Sequence, residues 1–419
     1  MRIWILNHYA TSMYFDGKGR HHWFAKYLKQ QGHSVKIFCA ATFHRNNGQD
    51  LINYAGKEKV GYDGVPYIFV EARPYSGNGY QRILNMLDYA RHVKQMIYKC
   101  VKKEGKPDLI LASSVHPFTL IAGIQIAKKI KVPCLCEIRD LWPESLVSMG
   151  KLKHNSLLAK FLYMGEKNIY KKADGLIFTM EGWRDYFNEK KWNKIIETKK
   201  VFYINNMVDL DMFNREMECN AFTDEDLDDQ NAFKVIYIGT IRMANSLKSL
   251  VEAGKELQGE NIKFLIYGEG DDRERLEKFC CDNNLSHIKF KGYAERKRVP
   301  YILSKSDLNI LNYIRASIFR FGASQNKFFE YLASGKPVLA NNIYSYSLIE
   351  KYQCGIEKNI DDPKDYRDAI LEIKNMDKKQ YQQICKNAML AAKKCDYRKR
   401  SKELEEAIEI VIKEYQKNA

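Results

Sequence analysis

The sequence predicts an α/β protein made of two domains, each a doubly wound parallel sheet. Short apolar runs typical of buried strands alternate with helical patterns, as expected when helices cover both faces of a parallel sheet. This alternation occurs in two consecutive series along the chain. The length of 419 residues is too great for one ordinary core and suits two domains of roughly 200 residues each.

The first series of predicted strands lies within residues 1–205 and the second within residues 206–395. The first comprises Arg2–Leu6, Ser34–Ala40, Val65–Val70, Asp108–Ala112, Pro133–Ile138, Gly175–Thr179 and Val201–Ile204. The second comprises Phe233–Gly239, Ile262–Gly268, His287–Lys291, Asp307–Asn312 and Pro337–Ala340. We therefore expect two Rossmann-like domains, a linker near Asn205–Phe213, and a last helix over Arg398–Tyr415.

The net charge of +16 lies entirely in the first predicted domain. Residues 1–205 hold 33 Lys and Arg against 17 Asp and Glu, whereas residues 206–419 hold 35 of each kind. Such asymmetry indicates an anionic partner for the first domain, either nucleic acid or an acidic membrane surface. Two predicted basic amphipathic helices, Gln81–Lys103 and Leu157–Lys172, suit a membrane surface, although such helices more often simply cover a sheet.

No basic stretch followed by an apolar stretch opens the chain, so no secretion is predicted. The uncharged run Leu109–Ala127 is long enough to form a membrane-spanning helix. Ser113 and Pro117 interrupt it, however, and a strand followed by a helix is the better interpretation. The ten cysteines never form C-x-x-C. They are interpreted as reduced packing residues of a cytosolic protein.

The stretch Phe319–Ala340, FRFGASQNKFFEYLASGKPVLA, is the most informative part of the chain. It predicts a loop at Gly322, a helix from about Ser324 to Ser334, a stop and a buried strand. The helix start would favour a phosphate. Lys327 could add a charge to a diphosphate, and Glu330 could accept hydrogen bonds from a vicinal diol. The pattern favours a nucleotide-sugar site, with an ordinary surface ion pair as the alternative.

Two segments carry a resemblance to a known family. S-Q-N-K-F-F-E-Y-L-A-S-G-K-P-V resembles the donor-site segment of family 4 glycosyltransferases of the GT-B fold, and more closely that of the bacterial fucosamine (FucNAc) transferase-like enzymes of polysaccharide assembly. Glu137–Ser145, EIRDLWPES, is similar to the E-x-R-D-x-W-P-E-S signature of the same subgroup. The family carries two Glu separated by seven residues. Glu330 matches the second, but Gly322 stands at the first.

The resemblance extends over nearly the whole chain and implies an architecture. Two Rossmann-like domains would face each other across a cleft, the first binding the acceptor and the second the nucleotide sugar. Residues 396–419 would form a C-terminal helix that packs back on the first domain.

The first domain offers three kinds of candidate residue. Asp140 follows a predicted strand, where α/β domains place their chemistry, and is expected to be catalytic; relatives often carry His there, and the alternative is a helix cap or a partner for Arg139. His116 and Arg139 are expected to bind the acceptor. Gly17 and Gly19 resemble the family's glycine-rich turn over the reaction centre and are expected near the donor, with an ordinary βα turn as the alternative.

The second domain offers a third catalytic candidate and further donor contacts. Arg242 is expected to join Lys327 as a cation near the diphosphate, after a glycine turn that opens a helix. Besides Glu330, the expected donor contacts are Gly239, Gly268, Tyr293, Ser324 and Asn326. Asp209-Leu210-Asp211 spells D-x-D, but its surroundings resemble the family's N-x-V-D-x-x-x-F linker, and no metal is predicted.

The resemblance implies a retaining glycosyltransferase. It would move a sugar, with an N-acetylated amino sugar as one candidate, from a nucleotide diphosphate donor, UDP being favoured, to a lipid-diphosphate-linked glycan, without cofactor or metal. Capsule and O-antigen assembly are the expected settings, at the inner face of the cytoplasmic membrane, where the protein would be peripheral. The alternatives are a nucleotide-sugar 2-epimerase of similar fold and a nucleic-acid-binding protein; no R/K-aromatic RNA signature or separate basic tail supports the latter.

Overall fold

A computed structural model describes residues 1–43, 49–77, 79–114, 116–197 and 200–418. The chain divides into two compact units. Unit 1 consists of Met1–Asn205 with Tyr397–Ala419, and unit 2 consists of Asn206–Asp396. Asn78, within the glycine-rich stretch before the predicted helix Gln81–Lys103, lies outside the described residues.

Unit 1 contains an eight-stranded sheet in the order β10-β9-β8-β7-β1-β2-β6-β5. Its strands and those of a separate two-stranded ribbon are β1 Arg2–Leu6, β2 Ser34–Ala40, β3 Thr42–Phe43, β4 Gln49–Asp50, β5 Glu58–Val60, β6 Pro66–Val70, β7 Leu109–Ser113, β8 Cys134–Ile138, β9 Gly175–Phe178 and β10 Val201–Tyr203. All pairs in the large sheet are parallel except the edge pair, where β5 runs antiparallel to β6. The ribbon joins β3 and β4.

The helices of unit 1 cover both faces of this sheet. They are α1 Thr11–Asp16, α2 Arg20–Gln30, α3 Tyr80–Glu104, α4 Pro117–Ile130, α5 Glu144–Ser148, α6 Leu157–Lys172, α7 Trp183–Glu189 and, from the end of the chain, α16 Tyr397–Asn418. The central strands β7 and β8 are fully buried and are apolar except for Ser113 and Glu137 near their carboxyl ends, as expected of strands that are covered on both faces.

The last helix, α16, packs on the rest of unit 1 from its first residue onward. Tyr397 is 1% exposed, and its ring centroid lies 4.7 Å from that of Trp23 and 5.2 Å from that of Phe24 on α2. Further along, Val411 packs so closely on Gly175 that a Cβ there would lie 2.5 Å from Val411 Cγ2. Burial of these aromatic and aliphatic groups stabilises the return of the chain to this unit.

Unit 2 contains a six-stranded parallel sheet in the order β13-β12-β11-β14-β15-β16. Its strands are β11 Phe233–Ile238, β12 Ile262–Tyr267, β13 Ile288–Gly292, β14 Leu308–Leu311, β15 Val338–Ala340 and β16 Gly355–Glu357. Its helices are α8 Leu210–Cys219, α9 Leu247–Glu256, α10 Arg273–Asp282, α11 Val299–Ser304, α12 Asn326–Ala333, α13 Leu348–Tyr352, α14 Pro363–Lys374 and α15 Lys378–Lys394. Apolar residues of β11, β12 and β14 form its core with α9 and α14.

Several elements were not expected from the sequence, among them β5, α1 and β16. The edge strand β5 is exposed along its whole length and so carries no apolar pattern. Helix α1 has only six residues, and strand β16 has three half-buried residues. Within the described residues, no helix combines the length and the apolar character needed to cross a bilayer.

Candidate functional site

Two glycine turns touch at the carboxyl ends of neighbouring strands in unit 2. Gly239 follows β11 and Gly268 follows β12, with φ angles of 156° and 146° that favour glycine. A Cβ at Gly268 would lie 1.8 Å from the carbonyl oxygen of Gly239, and one at Gly270 would lie 2.0 Å from the carbonyl oxygen of Ile241. The close approach therefore leaves no room for side chains, and backbone forms this part of the sheet edge.

Lys327 lies over the Gly239 turn. Its Nζ donates a hydrogen bond to the hydroxyl of Tyr237 at 3.1 Å and lies 4.3 Å from the centroid of that ring and 5.3 Å from that of Tyr313. A Cβ at Gly239 would lie 2.5 Å from Nζ. Burial lowers the pKa of Lys327 to about 7, and the Glu330 carboxylate opposes this shift. The half-buried ammonium is thus held beside exposed backbone, where an anion would stabilise its charged form.

Helix α12 begins later than expected. It starts at Asn326 after Gln325, and the side chain of Gln325 makes no capping hydrogen bond. Lys327 is therefore in the first turn, closer to the positive end of the helix dipole than the predicted start at Ser324 implied. The hydroxyl of Ser324 accepts from the backbone N–H of Asn206 at 3.2 Å, and the carbonyl of Ser324 accepts from the Asn206 amide at 2.8 Å. Ser324 is thereby tied to the first residue of unit 2.

Glu330 lies one turn beyond Lys327 on α12 and is half-buried. Its carboxylate is near enough to raise the pKa of Lys327 against the effect of burial. The next residue, Tyr331, is fully buried, and its hydroxyl accepts a hydrogen bond from the backbone N–H of Ile238 at 3.2 Å. This bond fixes α12 to the end of β11, so the positions of Lys327 and Glu330 relative to the Gly239 turn follow from it.

Gly322 has a backbone conformation that disfavours a side chain. Its φ of 90° and ψ of −178° end the 3-10 turn Ser317–Phe321, and any other residue there would be strained.

A carboxylate near this turn was not predicted from the sequence. Glu357, at the end of β16, lines a small cavity with Ala323 and Gln325. Burial raises the pKa of Glu357 to about 7. The rule that strand ends carry chemistry did not select it because β16 was not predicted from the sequence.

Arg242 and Tyr293 are solvent-exposed. Arg242 precedes the 3-10 turn Met243–Asn245, and α9 begins only at Leu247. The Gly239 turn therefore does not open a helix directly, contrary to expectation, because Ser246 adopts a left-handed conformation between the 3-10 turn and α9. The side chain of Tyr293, which follows β13, is 67% exposed.

A buried ion network occupies the corresponding edge of the sheet in unit 1. Glu137, at the end region of β8, is fully buried and accepts hydrogen bonds from Arg20 Nε at 2.7 Å and from Ser113 Oγ at 2.7 Å, and it pairs with His21 Nε2 at 2.8 Å. Burial alone would raise the pKa of Glu137, but Arg20 and His21 together lower it well below its usual range. Glu137 is therefore an ionised structural carboxylate.

Asp140 follows β8, and its side chain retains solvent-exposed surface. The protein around it excludes enough water to raise its pKa, and Arg139 opposes that shift. The residue that caps α5 is Pro143, so the predicted capping alternative for Asp140 is wrong. Of the ion pairs formed by the described residues, none joins Arg139 to Asp140. A partly exposed carboxylate at a strand end is suited to act on a ligand.

Arg139 is held mainly through its backbone. Its N–H donates to Ser114 Oγ at 3.1 Å, and its carbonyl accepts from Thr179 Oγ1 at 3.0 Å. Its Nε is buried and has no hydrogen-bond partner among the described residues. A buried guanidinium nitrogen without a partner favours a ligand group that would accept from it.

His116 pairs with His8, a residue that the sequence reasoning did not select. His116 Nε2 lies 2.9 Å from His8 Nδ1. Burial lowers the pKa of His116 to about 3, and Arg82 adds to this effect, so the imidazole is neutral. His116 Nδ1 is buried without a partner in the described part of the chain. His8 follows β1 by two residues and could also have been found from its place after a strand.

Gly17 and Gly19 join α1 to α2, not a strand to a helix. Their φ angles are 62° and 126°. A Cβ at Gly17 would lie 2.7 Å from Tyr62 Cγ, and one at Gly19 would lie 2.9 Å from Met13 Cγ. The loop is packed and precedes Arg20 of the Glu137 network.

In unit 2, Asp209 of the D-x-D sequence caps α8 by accepting a hydrogen bond from the backbone N–H of Met212 at 3.0 Å.

Two family models match the chain. Residues 19–196 match a glycosyl transferase 4-like domain, and residues 232–375 match the glycosyl transferases group 1 domain. The first match contains the Glu137 network and Asp140, and the second contains Lys327 and both glycine turns.

Curated relatives match at low identity. TuaH of Bacillus subtilis, named for teichuronic acid biosynthesis, is 26% identical over 213 residues, which are 51% of each chain. WcaI of Escherichia coli, named for colanic acid biosynthesis, is 21% identical over 296 residues, 68% of this chain and 70% of the relative. The chain thus spans about half the length of the first relative.

Solved structures of GT-B glycosyltransferases share the fold. HepE of Anabaena, solved in complex with UDP, has a TM-score of 0.68 at 14% identity, over 98% of this chain and all of the other. The α/β architecture with two parallel-sheet units is therefore the GT-B fold, as the sequence predicted.

Proposed function

This chain belongs to the glycosyltransferases of GT-B fold that combine a glycosyl transferase 4-like domain with a group 1 domain, and on that premise we propose its reaction. It transfers a sugar from a nucleotide diphosphate to a lipid-diphosphate-linked glycan in surface polysaccharide biosynthesis, with retention of the anomeric configuration. The subgroup we propose is the fucosamine transferase-like enzymes, on the strength of the segments Glu137–Ser145 and Ser324–Val338.

The observation that carries the donor site is the position of Lys327 over the Gly239 turn. As the bond from the anomeric carbon to the diphosphate oxygen breaks, negative charge grows on the leaving group. An ammonium and backbone amides fixed beforehand stabilise that charge without reorganisation. The first turn of α12 supplies amides, Lys327 supplies the charge, and exposed Arg242 is the next candidate cation.

The rest of the nucleotide is bound by residues around these turns. Glu330 accepts hydrogen bonds from the ribose hydroxyls, and Tyr293 contacts the base through its exposed ring. Gly268 allows the ligand to approach the backbone. We favour UDP because the similar HepE structure holds UDP. No metal is required in this proposal, and the capping bond of Asp209 gives that carboxylate a structural role.

The acceptor is bound by unit 1. Asp140, Arg139 and His116 lie after parallel strands of one sheet, and two of them offer buried polar atoms without partners among the described residues. In the retaining reaction that we propose, the acceptor oxygen bonds to the anomeric carbon and its proton passes to the oxygen of the departing phosphate. Asp140 acts near the acceptor hydroxyl or the donor sugar.

We propose that the protein works at the inner face of the cytoplasmic membrane, to which the basic unit 1 attaches peripherally. The exposed lysines of α3 and α6 support this. Tyr75, which precedes α3 in the sequence, is only 6% exposed and does not take part. Tyr80 is 72% exposed and remains available.

Calorimetry with UDP and GDP tests the donor site. UDP should bind the wild-type protein, and Lys327→Met should weaken binding and lower turnover more than it raises KM for the donor. Lys278→Met, at an exposed lysine of α10, is the matched control and should change neither. A Lys327→Met protein with normal turnover would remove Lys327 from the mechanism.

A product assay with and without acceptor separates the transferase from a 2-epimerase. Transfer requires an acceptor, whereas epimerisation changes the donor alone. Conversion of the nucleotide sugar to its epimer without acceptor would overturn the proposal.

A further inference from the structure

Helices α4 and α6 of unit 1 enclose a cavity of about 340 Å³. Its walls are mainly apolar, including Phe118, Leu120, Ile121, Phe161, Leu162 and Ile169. His116 and Asp140, at the strand ends described above, line the same cavity. An apolar pocket of this size with a few polar groups at one side is typical of a ligand site.

The one carboxyl group deep in the wall is compatible with an apolar ligand. Glu166 is buried and accepts hydrogen bonds from Tyr170 at 2.6 Å and Tyr186 at 2.7 Å. Burial raises the pKa of Glu166 to about 8, so the group is largely neutral at pH 7. The cavity therefore presents little charge to its contents.

The outer face of α6 beside the cavity is unusually apolar for an exposed helix. Leu157, Leu158, Phe161 and Met164 are 85%, 57%, 65% and 62% exposed. Exposed Lys160, Lys171 and Lys172 lie on the same helix. Apolar side chains with Lys160 among them complement a molecule that joins a hydrocarbon chain to an anionic group.

We propose that this cavity binds the hydrocarbon chain of a lipid-diphosphate acceptor. We choose the acceptor lipid over a lipid of the bilayer because His116 and Asp140, the proposed acceptor-site residues, line the cavity. The inference therefore rests on the proposed function. The hydrocarbon chain of the lipid lies between α4 and α6. The exposed face of α6 contacts the membrane from which the lipid enters, and the lysines of α6 contact the anionic group of the lipid.

Gly165 provides a way to fill the cavity without disturbing the fold. It lies in α6 and lines the cavity, and a Cβ built there meets no heavy atom within 4 Å. Glycine within a helix is also destabilising relative to other residues. Gly165→Leu should therefore occupy the cavity while the protein melts at or above the wild-type temperature.

Calorimetry with farnesyl diphosphate, geranyl diphosphate and inorganic diphosphate tests the proposal in the absence of any donor. Each buried methylene strengthens binding about fourfold, so farnesyl diphosphate should bind at least about tenfold more tightly than geranyl diphosphate, and inorganic diphosphate most weakly. Gly165→Leu should abolish the dependence on chain length. Asn168→Leu, which introduces the same side chain at an exposed position of α6 outside the cavity lining, should preserve that dependence.

Equal affinities for the two lipid diphosphates, or an unchanged preference in Gly165→Leu, would overturn the proposal. If Gly165→Leu does not fold, Phe161→Ser replaces it and should weaken farnesyl diphosphate binding, because Phe161 lines the cavity. UDP binding is measured on the same samples. Absence of a chain-length preference in the wild-type protein with UDP binding intact rejects the lipid site alone, whereas absence of UDP binding rejects the proposed function.

Discussion

The ammonium of Lys327 lies 3.1 Å from the hydroxyl of Tyr237, a residue 90 positions earlier in the chain. That hydroxyl in turn donates to the carbonyl of Thr240 at 2.8 Å. Tyr237 thus connects the first turn of α12 to the loop after β11, and the cation is held where the two converge.

Nucleotide binding should depend on pH through Lys327. Its pKa of about 7 in the free protein will rise when a diphosphate binds, because an opposite charge favours the ammonium. Affinity should therefore be highest below pH 7 and fall as pH rises through the pKa of the complex. Calorimetry at pH 7 to 8 in buffers of different ionisation enthalpy should detect proton uptake on binding of UDP. Uptake that persists in Lys327→Met would assign the proton to another group.

Glu330→Gln should weaken UDP binding by roughly tenfold or more. The substitution keeps the shape of the side chain but removes a charged acceptor, and hydrogen bonds to charged groups contribute about 1.5 to 3 kcal/mol. Isothermal calorimetry gives the affinity directly. Unchanged affinity would mean that Glu330 does not bind the ribose.

Asp140→Asn should leave the melting temperature nearly unchanged and lower the rate of transfer by about a hundredfold or more. The carboxylate caps no helix and retains exposed surface, whereas groups that act on protons or charge in the reaction contribute factors of this size. Thermal unfolding and a transfer assay are measured on one preparation. An active variant that melts much lower would indicate a structural role instead.

Glu137→Gln should destabilise unit 1 by about 3 to 5 kcal/mol, because it leaves Arg20 buried without its counter-charge. Chemical denaturation monitors the loss. Glu372→Gln breaks an exposed pair with Lys358 and should cost less than about 1 kcal/mol.

The same network predicts the direction of a pH effect. The folded-state pKa of Glu137 is lowered, so its stabilisation is present above the unfolded-state value of about 4.3 and is lost as pH falls through the folded-state value. Equal stability of the Glu137→Gln and wild-type proteins at neutral pH would contradict this account.

The sequence was sufficient for the buried strands and for the fold, because a strand covered on both faces is apolar over most of its length. The exposed strand β5 and the short helix α1 have no such requirement and left no signal. Rules for strand ends selected Asp140 and His116. They did not reveal that His8 pairs with His116 or that Tyr237 meets Lys327, because such contacts depend on how distant segments pack.

The glycines of this protein differ sharply in how much variation they can accept. At Gly268 and Gly270 a single methyl group would enter space held by backbone carbonyls, and backbone cannot move aside as a side chain can. Gly165 faces open space. A library of all substitutions that is selected for folded protein should therefore be depleted of every alternative at the first two positions and permissive at the third. Under the function proposed above, new donor preferences would have to arise in exposed side chains such as Tyr293, and the lipid of the proposed acceptor could be exchanged by changes at Gly165.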